Sequence, residues 1–354
     1  MKTPFDSYCI NDIPEGCKRC VRGEKLVLFI TGKCSRNCYY CSLSNKRKNA
    51  DTIIANEREC STPQEAIEEA RESNATGAGI TGGDPLLVIS RTLEYAKALK
   101  EAFGNSFHIH VYLPTTLLSE ENLSSLSKYA DEIRIHPSFL QKSENEVQKA
   151  MDEDIEKLKL ANKIFKKEVL GIEMPSFPDK KEQIIEFIKK ASAFIGFVNL
   201  NELEISETNF DVFTKKYSFN EDTYTISSSI EAGKEVLNAC RILGLKLHLC
   251  TAVTKIAHQY GNRLKRTNAL PFAERDKEGM AIYFAIYSTP KELENTAEEL
   301  KKYQEDIFID KTKNRILISK KIVQKIIKLK KYKVSRVKEY PTSDRTEVEL
   351  YPLN

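Results

Sequence analysis

Residues 26–41 read LVLFITGKCSRNCYYC, an apolar segment that runs directly into a loop with three cysteines. The segment is typical of a buried strand, which we predict over Lys25–Thr31. Cys34, Cys38 and Cys41 follow with C-x3-C-x2-C spacing. Three thiolates on one short loop can hold an iron–sulfur cube and leave its fourth iron without a protein ligand. Because an open coordination position makes a metal site reactive, the loop indicates chemistry as well as structure.

The composition excludes several classes of protein. The chain has 354 residues, of which 41% are apolar, and its 55 basic and 51 acidic side chains give a net charge of +4. Low-complexity disorder is excluded, and the overall charge does not suggest a polyanion binder. The first residues lack an apolar signal segment, and no apolar run reaches the roughly 18 residues of a membrane span. We therefore expect a cytoplasmic protein without membrane contact. Six of its nine cysteines lie within the first 41 residues, and this cluster indicates metal ligands or catalytic groups rather than disulfides.

Strand and helix candidates alternate along the chain from residue 25, which is the pattern of a parallel sheet or barrel. The strand candidates are Lys25–Thr31, Gly77–Thr81, Phe107–Leu113, Glu132–His136, Glu168–Met174, Phe197–Ile205 and Lys246–Cys250. We predict an α/β fold, a partial (β/α)6-type TIM barrel in which functional groups lie at the carboxyl ends of the strands. A Cys-rich segment (1–24) precedes the barrel (25–277), and a small basic α+β domain (278–354) follows it.

A second motif follows the second predicted strand. The sequence of residues 77–85 is GAGITGGDP, so that Gly82 and Gly83 stand at the end of the strand, where a backbone can come close to a ligand. Together with the cysteine loop, in which Tyr40 precedes the third cysteine, this pattern resembles the radical S-adenosylmethionine (SAM) superfamily. The resemblance covers roughly residues 25–250. Motif order and spacing are similar to the branch related to pyruvate formate-lyase activating enzymes, and more closely to an archaeal group within it.

The resemblance implies a cofactor and a reaction. Cys34, Cys38 and Cys41 would hold a [4Fe-4S] cluster whose open iron chelates SAM, and an electron from a ferredoxin-like or flavodoxin-like donor would cleave SAM to methionine and a 5′-deoxyadenosyl radical. Asp84 stands where the family commonly has Glu, which keeps the charge and shortens the reach. The residues that the resemblance assigns to SAM binding are Tyr40, Gly82, Gly83, Asp84, Thr115, Arg134 and His136.

Arg134 and His136 alternate with apolar residues, so both point to one face of their strand. If that face is the barrel interior, the guanidinium must have an anionic partner, because an unpaired buried charge is costly. If it faces the helices, both side chains make ordinary hydrogen bonds. The sequence leaves both possibilities open.

Four other cysteines could bind a second metal. Cys9, Cys17 and Cys20 precede the barrel and Cys250 ends its last strand, so they could hold an auxiliary iron–sulfur cluster or a structural zinc or iron ion. The alternative is that they are unmetallated buried thiols. Cys60 and Cys240 are interpreted as packing residues.

Residues 311–338 carry twelve Lys or Arg and no acidic residue. Residues 320–331 are predicted to form a helix with an apolar stripe of Ile322, Ile326 and Leu329 and a cationic face. Such a face suits the phosphate backbone of tRNA or another RNA. The alternative is a solvated surface whose charges are offset by the acidic segment 291–306.

These features support three hypotheses about function. The first is a radical SAM enzyme that modifies a macromolecule, either RNA or protein, and the second is a glycyl-radical-enzyme activase. The third is a zinc-dependent nucleic-acid-binding module, since Cys17-x2-Cys20 and Cys38-x2-Cys41 also have zinc-ribbon spacing. That ribbon would leave Cys34 unused and enclose an apolar strand, which favours the cluster.

Overall fold

The computed structural model describes residues 1–354 and divides the chain into two compact units. The first unit comprises Met1–Arg71 and Ala75–Tyr260, and the second comprises Glu72–Asn74 and Gly261–Asn354. No helix in either unit combines the length and the apolar character needed to span a membrane.

The elements of the first unit alternate between strands and helices. Its strands are β1 (Tyr8–Ile10), β2 (Lys25–Phe29), β3 (Ile53–Ala55), β4 (Arg58–Cys60), β5 (Gly77–Thr81), β6 (His108–Pro114), β7 (Glu132–His136), β8 (Leu170–Pro175), β9 (Phe197–Asn201), β10 (Phe219–Asn220), β11 (Thr225–Ile226) and β12 (Lys246–Cys250). Its helices are α1 (Glu15–Val21), α2 (Pro63–Glu72), α3 (Ile89–Phe103), α4 (Glu120–Leu126), α5 (Glu144–Ile164), α6 (Lys181–Ala191), α7 (Phe210–Lys216), α8 (Ser229–Cys240) and a π-helix (Thr254–Tyr260). Short 3-10 turns cover Pro85–Val88, Phe139–Gln141, Lys167–Val169, Pro178–Lys180 and Arg241–Leu243.

The main sheet is an open, partial barrel. Its strand order is β1-β12-β9-β8-β7-β6-β5-β2-β3-β4, in which the strands from β12 to β2 are all parallel. β1 is antiparallel to β12 at one edge, and the β3-β4 hairpin extends the other. The α/β partial-barrel prediction is confirmed. Its parallel strands are the seven that the sequence indicates, each with ends within a few residues of the predicted ones.

The two faces of the parallel strands differ in polarity. Along β7, the buried residues Ile133 and Ile135 belong to the core formed with the helices, and they alternate with Glu132 and Arg134. Arg134 Nη1 donates to Glu173 Oε2 at 2.9 Å, and its Nε donates to Glu132 Oε1 at 2.7 Å. Arg134 therefore lies inside the barrel with two anionic partners, and the alternative in which it faces the helices is wrong.

Helix α1 covers the amino-terminal end of this polar interior. The Gly16 N–H donates to Glu132 Oε2 at 3.1 Å, and Arg134 Nη1 donates to Cys17 Sγ at 3.3 Å. Residues 1–24, expected as a segment ahead of the barrel, are therefore part of the first unit.

The second unit is a mixed helix and sheet structure. Its strands are β13 (Glu274–Arg275), β14 (Ala281–Tyr287), β15 (Ile307–Asp310), β16 (Arg315–Ile318), β17 (Ser335–Glu339) and β18 (Glu347–Pro352), in the sheet order β15-β16-β14-β17-β18 with β13 on β14. Its helices are α9 (Gly261–Arg266), α10 (Leu293–Glu299), α11 (Val323–Lys328) and a 3-10 segment (Lys301–Asp306). The unit begins earlier than the predicted boundary after residue 277, since the Leu270 N–H donates to the Tyr283 hydroxyl at 3.0 Å.

The helix in the basic segment is shorter than predicted, and one residue of its predicted apolar stripe is exposed. The helix predicted over 320–331 is confined to α11, and Leu329 is 45% exposed. The apolar side chains that do pack inward are Ile322, Val323 and Ile326. The chain leaves the helix at Leu329, and Lys330 has φ +52°, a left-handed conformation that ends a helix.

Candidate active site

A cavity of about 360 Å³ opens at the carboxyl ends of the parallel strands. One side is formed by the cysteine loop and the turn after β5, and the opposite side by the ends of β8 and β9 and by the π-helix. This is the position at which (β/α) barrels carry their chemistry. The polar side chains on the side opposite the cysteine loop are Glu173, Asn201, Glu202, Glu204 and Lys255.

Cys34, Cys38 and Cys41 all line this cavity and are partly exposed, free thiols. The Arg36 N–H points to Cys34 Sγ at 3.4 Å, and burial raises the pKa of the Cys34 thiol. The end of the loop is fixed by the segment after β9, because the Thr208 hydroxyl donates to the Cys41 carbonyl at 2.7 Å. The loop is thus anchored by its backbone, and its three cysteines lie at the cavity wall as thiols outside any disulfide.

Arg36 and Tyr40 connect the cysteine loop to the end of β7. Arg36 donates to the carbonyls of His136 at 2.8 Å and Pro137 at 2.7 Å. His136 Nδ1 must donate to the Glu173 carbonyl (2.8 Å), since a carbonyl only accepts, so that its Nε2 accepts from the Tyr40 hydroxyl (2.9 Å). Burial and the Arg36 charge lower the pKa of His136 to about 3. Tyr40 and His136, both predicted to bind SAM, line the cavity. Their polar atoms are already hydrogen-bonded to each other and to the Glu173 carbonyl.

We expect Arg36→Met to slow SAM cleavage by roughly ten-fold to a hundred-fold, because small misplacements of a reacting group have effects of this size. All three cysteines remain, so iron content and the binding of the cluster should be unchanged. Parallel measurement of 5′-deoxyadenosine formation and of iron and sulfide checks this. Arg36→Lys should recover part of the rate, and Arg22→Met, which removes only a surface pair with Glu24, is the matched control. Unchanged kcat in Arg36→Met would contradict a positioning role.

The turn after β5 brings backbone to the cavity wall. Gly82 has φ +143°, and a Cβ at this position would lie 2.2 Å from the Thr31 carbonyl oxygen. A Cβ on Gly83 would lie 2.0 Å from the Lys33 carbonyl oxygen. The Gly83 N–H donates to the Thr31 carbonyl at 2.7 Å, which ties the turn to the start of the cysteine loop. Both glycines line the cavity.

Three of the residues predicted to bind SAM do not line the cavity. Asp84 is fully buried and accepts from the Ser35 hydroxyl at 2.5 Å and the Leu86 N–H at 2.9 Å, so it holds the turn and the loop together. The Thr115 hydroxyl donates to Asp154 at 2.7 Å behind the strand ends. Arg134 reaches the cavity only through Glu173, whose carboxylate also accepts from Asn201 at 2.6 Å.

Two cavity features had no signal in the sequence pattern. Arg36 is one of three residues between Cys34 and Cys38 that the cysteine spacing does not specify, and its link to β7 is a contact across 100 residues. Lys255 lies in the π-helix, a form associated with functional sites, and its Nζ lies 2.6 Å from Glu204 Oε1. Hydrophobic periodicity does not predict a π-helix, so neither residue could be selected beforehand.

The other cysteines lie in the barrel interior or at its edge. Cys17, Cys20 and Cys250 are buried, and burial raises the pKa of Cys250 to about 12. Cys9 lies on β1 opposite His248. Cys60 and Cys240 are buried in the core with the helices, in agreement with their interpretation as packing residues. A second metal on Cys9, Cys17, Cys20 and Cys250 remains a prediction.

The residues around the cavity fit an iron–sulfur cluster with SAM. Three free thiols from one loop supply a donor set for three of four irons and leave the fourth open toward the cavity. The paired glycines on the adjacent wall form a cradle that a Cβ would fill.

Comparison with known proteins identifies the class. The Radical SAM superfamily matches residues 28–191, and a domain of unknown function, DUF8061, matches residues 279–353. The chain belongs to the radical SAM superfamily and is a radical SAM enzyme.

One relative matches nearly the whole chain. It is named "Putative glycyl-radical enzyme activating enzyme", from Methanocaldococcus jannaschii, and is 38% identical over 96% of this chain and 93% of its own length. Among solved structures, coproporphyrinogen III oxidase (HemN) of Escherichia coli, described as a radical SAM enzyme, matches with a TM-score of 0.40 and 13% identity, over 67% of this chain and 58% of that one.

Proposed function

We propose that this enzyme binds SAM in the cavity and abstracts a hydrogen atom from a glycine residue of a protein substrate. The observation that carries the SAM site is that the three cysteines and the paired-glycine turn line one cavity. When bound, the cluster supplies the electron that cleaves SAM to methionine and a 5′-deoxyadenosyl radical. A ferredoxin-like or flavodoxin-like protein would supply that electron.

The chain's own groups have separate roles in this proposal. Cys34, Cys38 and Cys41 bind the cluster, and Gly82 and Gly83 present backbone carbonyls to the methionyl ammonium of SAM. Tyr40 and His136, joined by a hydrogen bond, line the cavity beside the cysteine loop. Lys255 and Glu204, which also line the cavity, form a partly exposed ion pair at 2.6 Å that can contact the substrate.

A protein substrate is supported by the relative named as an activating enzyme, since the similarity covers 96% of this chain. It is also supported by the charges of the second unit. Of the basic side chains in 311–338, the following have acidic partners: Lys311, Lys313, Arg315, Lys320, Lys331, Arg336 and Lys338. Pairing reduces the field available to a polyanion.

RNA is the second candidate substrate. It is favoured by one observation, which is that five lysines of the same segment have no acidic partner within 4.0 Å. They are Lys321, Lys325, Lys328, Lys330 and Lys333. Local cationic surfaces of this kind bind phosphate backbones without regard to sequence.

The source of the abstracted hydrogen can be measured directly. Cells of the source organism are grown on glycine deuterated at Cα, and their extract is incubated anaerobically with reduced, cluster-loaded enzyme and SAM. We expect the 5′-deoxyadenosine to gain the mass of one deuterium, because the radical takes its hydrogen from the glycine Cα.

Two treatments of the extract separate the candidate substrates. Protease digestion should remove the deuterium transfer, and ribonuclease digestion should leave it intact. Formation of undeuterated 5′-deoxyadenosine that ribonuclease digestion removes and protease digestion leaves intact would replace the protein substrate with RNA. Formation of 5′-deoxyadenosine without any deuterium, in an extract where product formation depends on protein, would exclude glycine as the target.

A further inference from the structure

The floor of the barrel carries three metal-ligating side chains that the proposed reaction does not use. His108 and His110 lie at the start of β6, and Glu132 begins the neighbouring β7. One ligand atom from each residue lies within 4.8 Å of the other two. The side chains are 8%, 1% and 3% exposed. They therefore form a compact set at the end of the barrel opposite the active-site cavity.

Two of the ligand atoms are buried without a hydrogen-bond partner. They are His108 Nε2 and His110 Nδ1. Buried polar atoms are nearly always satisfied in folded proteins, so two orphaned imidazole nitrogens in one cluster require an explanation. Burial lowers the pKa of both histidines, so the imidazoles are neutral, the form that binds metals.

The distances are somewhat wider than those around a bound first-row divalent ion. Zinc binds imidazole nitrogen at about 2.0–2.1 Å and carboxylate oxygen at about 2.0–2.2 Å, so two ligand atoms of a tetrahedral ion lie about 3.3–3.5 Å apart. His108 Nε2 and Glu132 Oε2 are 4.0 Å apart, and the three ligand atoms lie within 4.8 Å of one another. The set is therefore wider than a tetrahedral site, and binding an ion requires the side chains to rotate inward.

Glu132 has one oxygen available toward the histidines. Both short contacts of Arg134, from Nε at 2.7 Å and from Nη2 at 2.5 Å, go to Oε1. Oε2 accepts only from the Gly16 N–H at 3.1 Å and faces His108. The guanidinium orients the carboxylate and at the same time weakens cation binding through its own charge, so this site is weaker than a four-ligand structural zinc site.

We propose that His108, His110 and Glu132 bind a divalent transition-metal ion of the Zn²⁺ class at the floor of the barrel. The ion is held by two imidazoles and one carboxylate, a donor set suited to zinc. Because Glu132 also binds the backbone of α1, the ion fastens the N-terminal helix to the barrel. This site is independent of the proposed substrate and of the cluster cysteines.

Cobalt titration tests the site in the full chain. Cys34, Cys38 and Cys41 are all replaced by Ala, which removes the cluster ligands, and the protein is titrated anaerobically with Co²⁺. We expect one ion per chain to give visible d–d bands of nitrogen and oxygen ligands, and any ion bound at Cys9, Cys17, Cys20 and Cys250 to be recognised separately by its thiolate-to-cobalt charge transfer. Zn²⁺ should displace it and abolish the bands.

Variants assign the ligands. His110→Asn and Glu132→Gln should each weaken Co²⁺ binding by at least about ten-fold, the lower end for disrupting a metal site. His258→Asn, at a histidine paired with Asp6 outside the cluster, should leave binding unchanged. If His110→Asn does not fold by thermal melting, His108→Asn at the edge of the floor replaces it.

Three results would overturn the proposal. One is the absence of Co²⁺ binding in the folded protein. Another is binding that both variants leave unchanged. The third is a spectrum in which every bound Co²⁺ shows thiolate charge transfer, which would assign the ion to Cys17, Cys20 or Cys250 instead.

Discussion

Cys38→Ala protein is expected to form no 5′-deoxyadenosine above the buffer control when it is reduced in the presence of SAM. Cys38 is the middle ligand of the loop and lines the cavity with Cys34 and Cys41. Two remaining thiolates hold a cubane cluster poorly, and without the cluster no electron reaches SAM. Iron and acid-labile sulfide should fall together with activity, as measured by metal analysis and by the electron paramagnetic resonance signal of the reduced protein.

Cys60→Ala and Cys240→Ala are the matched controls. Both side chains are buried in the core with the helices, away from the cavity. Each loses packing worth about 1–2 kcal/mol and should keep the cluster and the rate. Full activity in Cys38→Ala would contradict the assignment of Cys38 as a cluster ligand. Zinc without acid-labile sulfide in the wild-type protein would support the zinc-ribbon interpretation instead.

Gly82→Ala is expected to abolish SAM cleavage and to destabilise the first unit by roughly 3 kcal/mol or more. Position 82 has φ +143°, a region that only glycine occupies readily, and the added Cβ would lie 2.2 Å from a backbone oxygen of Thr31. That oxygen belongs to the start of the cysteine loop, so relief of the clash displaces the loop. Thermal unfolding and 5′-deoxyadenosine formation measure the two effects.

Gly104→Ala is the control that separates the steric clash at position 82 from the cost of placing alanine at a positive φ. Gly104 follows α3 with φ +80°, and a Cβ there meets nothing within 4 Å. The substitution should cost only about 1–3 kcal/mol, because Gly104 (φ +80°, ψ 175°) has an extended positive-φ conformation that other residues rarely adopt, and should leave SAM cleavage unchanged. A similar effect of both substitutions would mean that the turn after β5 has no particular connection to the site.

The barrel strands are predicted well because each strand is indicated by a pattern within a few neighbouring residues. Segments such as Gly77–Thr81 and Lys246–Cys250 are short strand-forming runs next to turns, and the structure contains strands with the same bounds. The cysteine spacing and the paired glycines also act over a few residues, so their meeting at one cavity follows from the parallel order of the strands.

The rest depends on contacts between distant residues. Asp84 was a candidate ligand of SAM by position, yet its carboxylate is used by Ser35, 49 residues away. Lys338 appears uncompensated in its segment, but its Nζ lies 2.9 Å from Asp276 Oδ2. A run of like charges shows the sign of the charge that a segment carries. Which acidic side chains pair with those charges depends on the fold.

The pairing of β1 with β12 limits when the first strand can fold during synthesis on the ribosome. Residues 8–10 have strand partners only in residues 247–249. The chain must therefore extend almost to the end of the first unit before its earliest strand can join the sheet, and such long-range pairing is intrinsically slow. The parallel strands from β2 to β9 can pair as they are synthesised, whereas the β1 edge of the barrel is completed only after β12 has been made.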